Sequence, residues 1–416
     1  MVLRTVRRLL GAVLIGVLLV ACGDPAASPT EVSVTTPSTT VPSSRVDDGV
    51  LRIGVFLPGT GSGARLGQPM IDAIDAAVAS INEAGGVLGR PVEQTYVDEA
   101  TAVGFDPMIQ SGVDAIIGPA SSRVALTSLS EALTSGVMVC SPSATATALD
   151  EFPDQGLFFR TVGSDTLQMS ALARTAARTG SGSVAVVHLD DPYGRGLLEA
   201  FRIAVDNRST LSIADEVPFA ADDQDLTDEA DTAVATGAGI IVLLGDADDG
   251  SRMLEALDRA IRAGDGTDTA RFVIVNDSLR DASDVIAELS DTTRTRLVGV
   301  APRAIVPSVE QPPGFFATNA HDCAVMIALA AAQAGSDQPS AIAAQMASVS
   351  SGGRICGGFA ECISLMVEGL QIDYSGLSGG VDLSATGDLS RAWFREFRFD
   401  DDGREYVVNP SGFETP

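Results

Sequence analysis

Leu51–Gly67 reads LRIGVFLPGTGSGARLG: an apolar, β-branched run, then a loop carrying Gly59, Gly61 and Gly63. In the segment that follows, Ile71, Ile74, Val78 and Ile81 share one helical face, while Asp72, Asp75 and Glu83 fall off it. Pro69 suits the first turn of such a helix. A strand, a glycine-rich loop and a helix open a βαβ unit, and the loop raises the question of a nucleotide. Gly59, Gly61 and Ala64 satisfy G-x-G-x-x-A. That fingerprint also wants an acidic residue at the end of the second strand, about 20 residues on. Here the second strand, VEQTYV, ends at Val97-Asp98, well beyond that spacing. The chain holds no G-x-x-x-x-G-K-[ST], and all 27 of its basic residues are arginine, so a P-loop is excluded. The loop reads as the rim of a different ligand site, and no cofactor is expected.

Outward from this stretch the pattern alternates. DAIIG, a helix through Ala125, Leu126, Leu129 and Leu133, and VMVC complete a first series. After Arg160 a second series runs through helical Thr166–Arg178, SVAVVHL, helical Tyr193–Asn207, LSIADEV, helical Leu226–Ala235, GIIVLLG, helical Met253–Ile261, RFVIVN and RLVGVA. Runs apolar on both faces suit parallel strands covered by helices on each side. Two such series predict an α/β protein of two doubly wound, Rossmann-like lobes. The last hundred residues break the alternation: helices around Phe316–Gln333 and Ser340–Ala347 lead to IDYSGLSGGVDLS and AWFREFRFDDDGREYVV, which read as antiparallel pieces.

The 416 residues are enough for two cores, and 45% hydrophobic with 20% charged residues describes a folded chain. A net charge of -28 repels nucleic acid and anionic lipid, so neither is an expected partner. At the N-terminus, Arg4, Arg7 and Arg8 precede an apolar run from Leu9 to Val20, the layout of an export signal and too short for a stable membrane span. It ends in Leu19-Val20-Ala21-Cys22, which resembles the lipobox of bacterial lipoproteins. That resemblance implies cleavage before Cys22, lipid on that cysteine and attachment to the membrane through it. The alternatives are an ordinary signal with a coincidental cysteine, or a short anchor helix. The Ser/Thr/Pro-rich stretch up to Asp48 reads as a disordered tether. Of the remaining cysteines, Cys356 and Cys362 flank GGFAE and predict a disulfide in an exported protein. Cys140 and Cys323 sit in apolar runs and read most simply as buried thiols, with a second disulfide open. His188 and His321 are too few and too far apart for a zinc site.

Three loops fall at the carboxyl ends of strands, where parallel sheets bind ligands: the opening loop, PASS after the third strand and SPSAT after the fourth. Ser121, Ser122, Ser143 and Thr145 bring hydroxyls there, beside amides and helix N-termini that suit a carboxylate. The same hydroxyls could simply cap helices and loops.

Together INEAGGVLGRPVE, IIGPASS, VCSPSATA, FFRTVGSDTLQ, VAVVHLDDPYGRGLLEAF and IDYSGLSGGVDLSATGD resemble the substrate-binding lipoproteins of ABC importers of the branched-chain amino acid type. The resemblance implies the type I periplasmic-binding-protein fold, two lobes on a three-strand hinge that close on a small ligand and present it to an ABC permease. The crossings would fall near Gly163, Ala301 and Asp388. The lobes would be 49–163 with 302–388, and 164–301 with 389–416, after a signal peptide (1–21) and a lipidated tether (22–48). It points to Ser122 for the ligand carboxylate, to Ser143 and Thr145 in the SPSAT loop, and to Tyr193 as the aromatic closing from the second lobe. Ser121, Leu66 and Gly61 are weaker candidates. The acidic residue that would pair a ligand ammonium falls at Asn276 or Asp277, with Asn276 the better aligned; only Asp277 would preserve the counter-charge. An aromatic expected after GIIVLLG is replaced by Asp246-Ala247, and the stretch between Asp98 and Asp114 is short for a full helix. Trp393 is the sole tryptophan, which argues against a sugar site of stacked rings. An enzyme would have to draw its base from His188 or His321; a ligand sensor of the same fold is the other rival.

Overall fold

The computed structural model describes residues 47–415, except 62, 181, 209, 265–269, 304–313 and 409–411. The signal peptide, Cys22 and nearly all of the tether lie outside the described residues. The first sheet is parallel, in the order β2-β1-β3-β4-β5: β1 (Arg52–Leu57), β2 (Glu93–Asp98), β3 (Ala115–Ile117), β4 (Met138–Ser141) and β5 (Phe158–Arg160). Helices α1 (Ala64–Glu83), α2 (Asp106–Ser111) and α3 (Ser122–Thr134) connect its strands. Strand β5 escaped the sequence reading because three residues, FFR, carry no alternation to detect. Helix α2 is the trimmed element anticipated between Asp98 and Asp114.

The opening loop answers its own question. Asp98, at the end of β2, accepts hydrogen bonds from the Gly59 amide (2.9 Å) and the Thr60 hydroxyl (2.5 Å). Its carboxylate holds the protein's own loop. The glycines serve close packing: a Cβ at Gly67 would lie 1.9 Å from the Pro58 carbonyl oxygen, and one at Gly59 would lie 2.0 Å from the Tyr96 hydroxyl. Because α1 already begins at Ala64, Pro69 stands inside the helix, which corrects its expected place in the first turn.

The second sheet begins with α4 (Asp165–Arg178) and continues through β6 (Ser183–Leu189), α5 (Pro192–Asp206), β7 (Ser212–Phe219), α6 (Thr227–Ala235), β8 (Ile240–Leu244), α7 (Ala247–Ala263), β9 (Phe272–Val275), α8 (Ser283–Glu288), α9 (Asp291–Arg296) and β10 (Leu297–Pro302). The chain then returns to the first lobe with α10 (Ala317–Ala334) and α11 (Pro339–Val349). A small sheet follows, of β11 (Arg354–Cys356), β12 (Ile372–Gly376) and β13 (Gly379–Gly380), with α12 (Phe359–Val367) between its first two strands. A last crossing delivers β14 (Ala392–Phe399) antiparallel to β10, with β15 (Glu405–Val407) and β16 (Phe413–Thr415) antiparallel to β14. Strands β7-β6-β8-β9-β10 pair in parallel.

Each of the two large sheets separates two apolar clusters. On the first, Ile53, Val55 and Leu57 pack with α1 and α10 on one face, while Phe56, Ile116 and Val139 pack with α2 and α3 on the other. The alternate residues of β8 divide in the same way: Ile241 and Leu243 to one cluster, Ile240, Val242 and Leu244 to the other. This two-sided burial is what the doubly apolar strands require.

Cys356 and Cys362 form the expected disulfide. Cys140 and Cys323 also form one, which corrects the buried-thiol reading. Helix α10 packs over the first sheet and brings Cys323 against Cys140 in β4, and both sulfurs lie within the core, so their surroundings in the sequence look like those of any apolar pair. At the crossings, Arg160 is fully buried and bonds Asp150 and Asp388, each at 2.6 Å. Its guanidinium also donates to the carbonyls of Ala144 (3.4 Å) and Ala146 (3.3 Å). One arginine thereby joins the first crossing, the third crossing and the SPSAT loop.

Candidate functional site

Leu66 of α1, the loops after β3 and β4 and those after β6, β8 and β9 line one cleft of about 750 Å³, and no described residue of the opening loop is among them, which corrects its reading as the rim. On the first-lobe wall stand Leu66, Ser121, Ser122, Ser143 and Thr145, with Arg123 beside them. Local hydrogen bonds already engage most of these polar groups. Ser121 Oγ caps α3 by accepting the Val124 amide (3.4 Å), and Ser143 Oγ donates to the Ala120 carbonyl (3.0 Å). The Ala120 and Ser121 amides, 2.7 and 2.9 Å from Glu99, are bound to its carboxylate. Burial pushes that carboxyl up to about 7 against the lowering effect of the two amides. Ser122 differs: its Oγ accepts the Ala146 amide (3.2 Å), which leaves its proton to donate into the cleft. Gly61 is not among the lining residues.

The second-lobe wall is acidic. Tyr193, Asp191, Asp246, Asp277, Ser278 and Arg280 line it. Asp191 and Asp246 are the N-caps of α5 and α7, accepting the amides of Gly194 (2.7 Å) and Asp249 (2.8 Å). Burial raises the Asp246 carboxyl, with Asp248 and Asp191 adding to the effect and Arg123 opposing it. Arg280 is committed to Glu405 at 2.7 Å and lies over the ring of Phe315 at 3.9 Å. Burial also raises Asp277, and it drives the Tyr193 phenol well above its ordinary range, reinforced by Asp165 and Asp277.

Asn276, the better aligned candidate, is fully buried and does not line the cleft. Its Nδ2 donates to the Gly245 carbonyl (3.0 Å) and to Ser278 Oγ (3.1 Å), and its Oδ1 accepts the Gly245 amide (3.4 Å). It joins the ends of β8 and β9 beneath the wall, while Asp277, one residue on, reaches the cleft. The preference for Asn276 is thereby reversed.

Sequence reasoning also missed Arg123, Arg280, Phe315 and the buried Asp165. Arg123 follows two serines that drew the attention, and Phe315 arrives from the crossing after β10. Asp165 sat in view, in the matched SDTLQ, but reads as an ordinary acidic residue in the first turn of a helix.

A family model described as Periplasmic binding protein matches residues 50–358. The chain belongs to the periplasmic binding protein family. This periplasmic binding protein is 25% identical over 80% of its length to a chemotactic signal transduction system substrate-binding protein, BasB, of Halobacterium salinarum, covering 83% of that protein. It is 24% identical over 84% of its length to Leu/Ile/Val-binding protein homolog 3 of Brucella melitensis, covering 92% of it. Among solved structures it resembles the branched-chain amino acid transporter substrate binding protein LivJ of Streptococcus pneumoniae in complex with isoleucine: TM-score 0.66, 20% identity, 88% of this chain and 100% of that one. The family consists of extracytoplasmic solute-binding proteins and not enzymes. Gly376–Gly380 (GLSGG) meets the serine-hydrolase G-x-S-x-G pattern in letters only. It spans the β12–β13 turn, where the Ser378 hydroxyl donates to Asp322 (2.6 Å). His188, at the end of β6, is buried, and its Nδ1 lies 3.1 Å from the Leu189 carbonyl, away from the cleft lining.

Proposed function

We propose that this chain is the substrate-binding lipoprotein of an ABC importer, capturing an amino acid or a similar small carboxylate or amide by lobe closure. The observation that carries the reading is the asymmetry of the cleft. Ser122 and Thr145 offer hydroxyl donors for a carboxylate on one wall, and Asp277 and Tyr193 offer a counter-charge and a lid on the other. Ser121, Ser143 and Leu66 shape the first wall. The first lobe holds the ligand in the open state, and the second joins on closure, excluding water and strengthening the hydrogen bonds. The closed form is what a permease would recognise. Lipid on Cys22 would keep the protein at the outer face of the cell membrane.

Thermal unfolding of the soluble form, starting at Gly23, tests this against amino acids, amides and small carboxylates. A ligand at one hundred times its dissociation constant adds about 2.7 kcal/mol by mass action. A raised melting temperature with one class supports the reading; no shift with any class contradicts it. A sensing role without transport is the second reading, favoured by the similarity to a chemotactic substrate-binding protein. Uptake of the ligand that depends on a permease and ATPase separates the two.

A further inference from the structure

Beneath the cleft lies a carboxylate with no assigned work. Asp165, at the start of α4, is 1% exposed, and neither of its oxygens has a hydrogen-bond partner among the described residues. Gln168 Oε1, one turn on and also buried, is likewise unpartnered. The surroundings of Asp165 are those of the site itself. Its amide donates to the Thr145 carbonyl (2.8 Å), and its carboxylate feels the Thr145 side chain, Asp277 and Tyr193. Two carboxylates therefore act on one another behind the cleft wall, and Asp165 is tied to that wall through Thr145.

The other charged groups around it are accounted for. Arg160, the cation that acts on Asp165, is held by Asp150 and Asp388, and Asp150 adds a further negative charge. Arg280, which faces Asp277, is paired with Glu405. On β14, Glu396 meets the far end of α4 through Thr175 and Arg178, and on β16 the Glu414 carbonyl takes Arg174. Burial, with Asp277 next in effect, raises the Asp165 carboxyl to about 8.

We propose that Asp165 is a proton-exchanging group of the binding site, protonated in the empty cleft and releasing that proton to solvent when a ligand ammonium enters. The inference rests on the reading of the ligand as an amino acid. A buried carboxyl that feels a second carboxylate does not readily ionise without an added cation, so Asp165 keeps its proton. An ammonium seated against Asp277 supplies the missing positive charge. Asp165 then loses H⁺ and becomes a carboxylate, and the charge at the floor is conserved. Linkage fixes the sign: affinity rises with pH while the proton has to be expelled, and levels off once the empty site has lost it.

The test is titration calorimetry at pH 7 with whichever of the twenty standard L-amino acids gives the largest melting shift, in phosphate and in Tris, whose ionisation enthalpies differ. The expected result is release of about one proton per ligand, absent in Asp165→Asn. A pH series on the unaltered protein checks the same point without the variant: affinity rises up to about tenfold per unit between pH 6 and 7.5 and flattens above about 8. Binding heats equal in the two buffers, with affinity flat across that range, would overturn the inference and leave amino-acid capture standing. Proton release that persists in Asp165→Asn would assign the proton elsewhere, to Glu99 first, and would also overturn it. If none of the twenty amino acids binds, the amino-acid reading itself falls and takes this inference with it.

Discussion

The two walls of the cleft solve different problems. The first-lobe wall is built of small, internally bonded groups beside Arg123: Ser121 caps a helix, Ser143 holds Ala120, and Glu99 occupies two amides. The second-lobe wall carries Asp191, Asp246 and Asp277 around a phenol, with burial raising Asp246, Asp277 and the phenol itself. One wall is preorganised and needs little from a ligand. The other carries three carboxylates against Arg280, and on the function proposed above it takes a positive group from the ligand. On that proposed function, the first lobe would set geometry and the second lobe which charge is accepted.

That division is breakable, most severely at Asp277. Asp277→Asn is expected to weaken binding of an amino-acid ligand by about 3–5 kcal/mol in calorimetry, because the ammonium is left buried without its partner. An affinity unchanged by this substitution would mean that the second wall does not read charge.

The next effect is on stability. A carboxyl raised in the folded state contributes stability at low pH and loses it as pH rises through the window from its ordinary value to the raised one. For Asp165 that window runs from 3.8 to about 8. The ligand-free protein should therefore lose about 3 kcal/mol from this group between pH 5 and pH 7.5. Urea unfolding at the two pH values should show Asp165→Asn losing less than the unaltered chain over the same interval; an equal loss would place the strain elsewhere.

Smaller effects sharpen the first wall. Thr145→Ala should cost about 1–3 kcal/mol of affinity through a lost buried hydrogen bond. Ser143→Ala should cost about 1 kcal/mol of stability in unfolding experiments and little affinity, because its hydroxyl already serves the Ala120 carbonyl. Equal affinity losses in the two variants would show that the wall is less preorganised than its hydrogen bonds suggest.

Much of the fold was legible because its physics is local and repetitive. Strands such as GIIVLLG are short, β-branched and apolar on both faces, which suits covered parallel strands, and Asp-Gly and Gly-Gly turns marked the antiparallel end. What stayed hidden is what three-dimensional neighbours decide. FFR is too short to signal β5, and the Cys140–Cys323 disulfide joins residues 183 apart in sequence. In the site, hydroxyl-rich loops at strand ends were readable from type and position. The choice between Asn276 and Asp277 was not, since one residue of register at the end of β9 decides which side chain turns inward. Asp165 shows the same limit: a first-turn aspartate is unremarkable until it is found fully buried beside the ligand cleft.

The proposed function requires that the second wall take a positive charge. It is tested most directly by calorimetric titration of the soluble protein with its best amino-acid ligand and with the same molecule lacking the amino group. Removing the ammonium is expected to lower affinity by on the order of 100-fold or more, the cost of an unanswered buried charge. Equal or tighter binding of the amine-free molecule would contradict it.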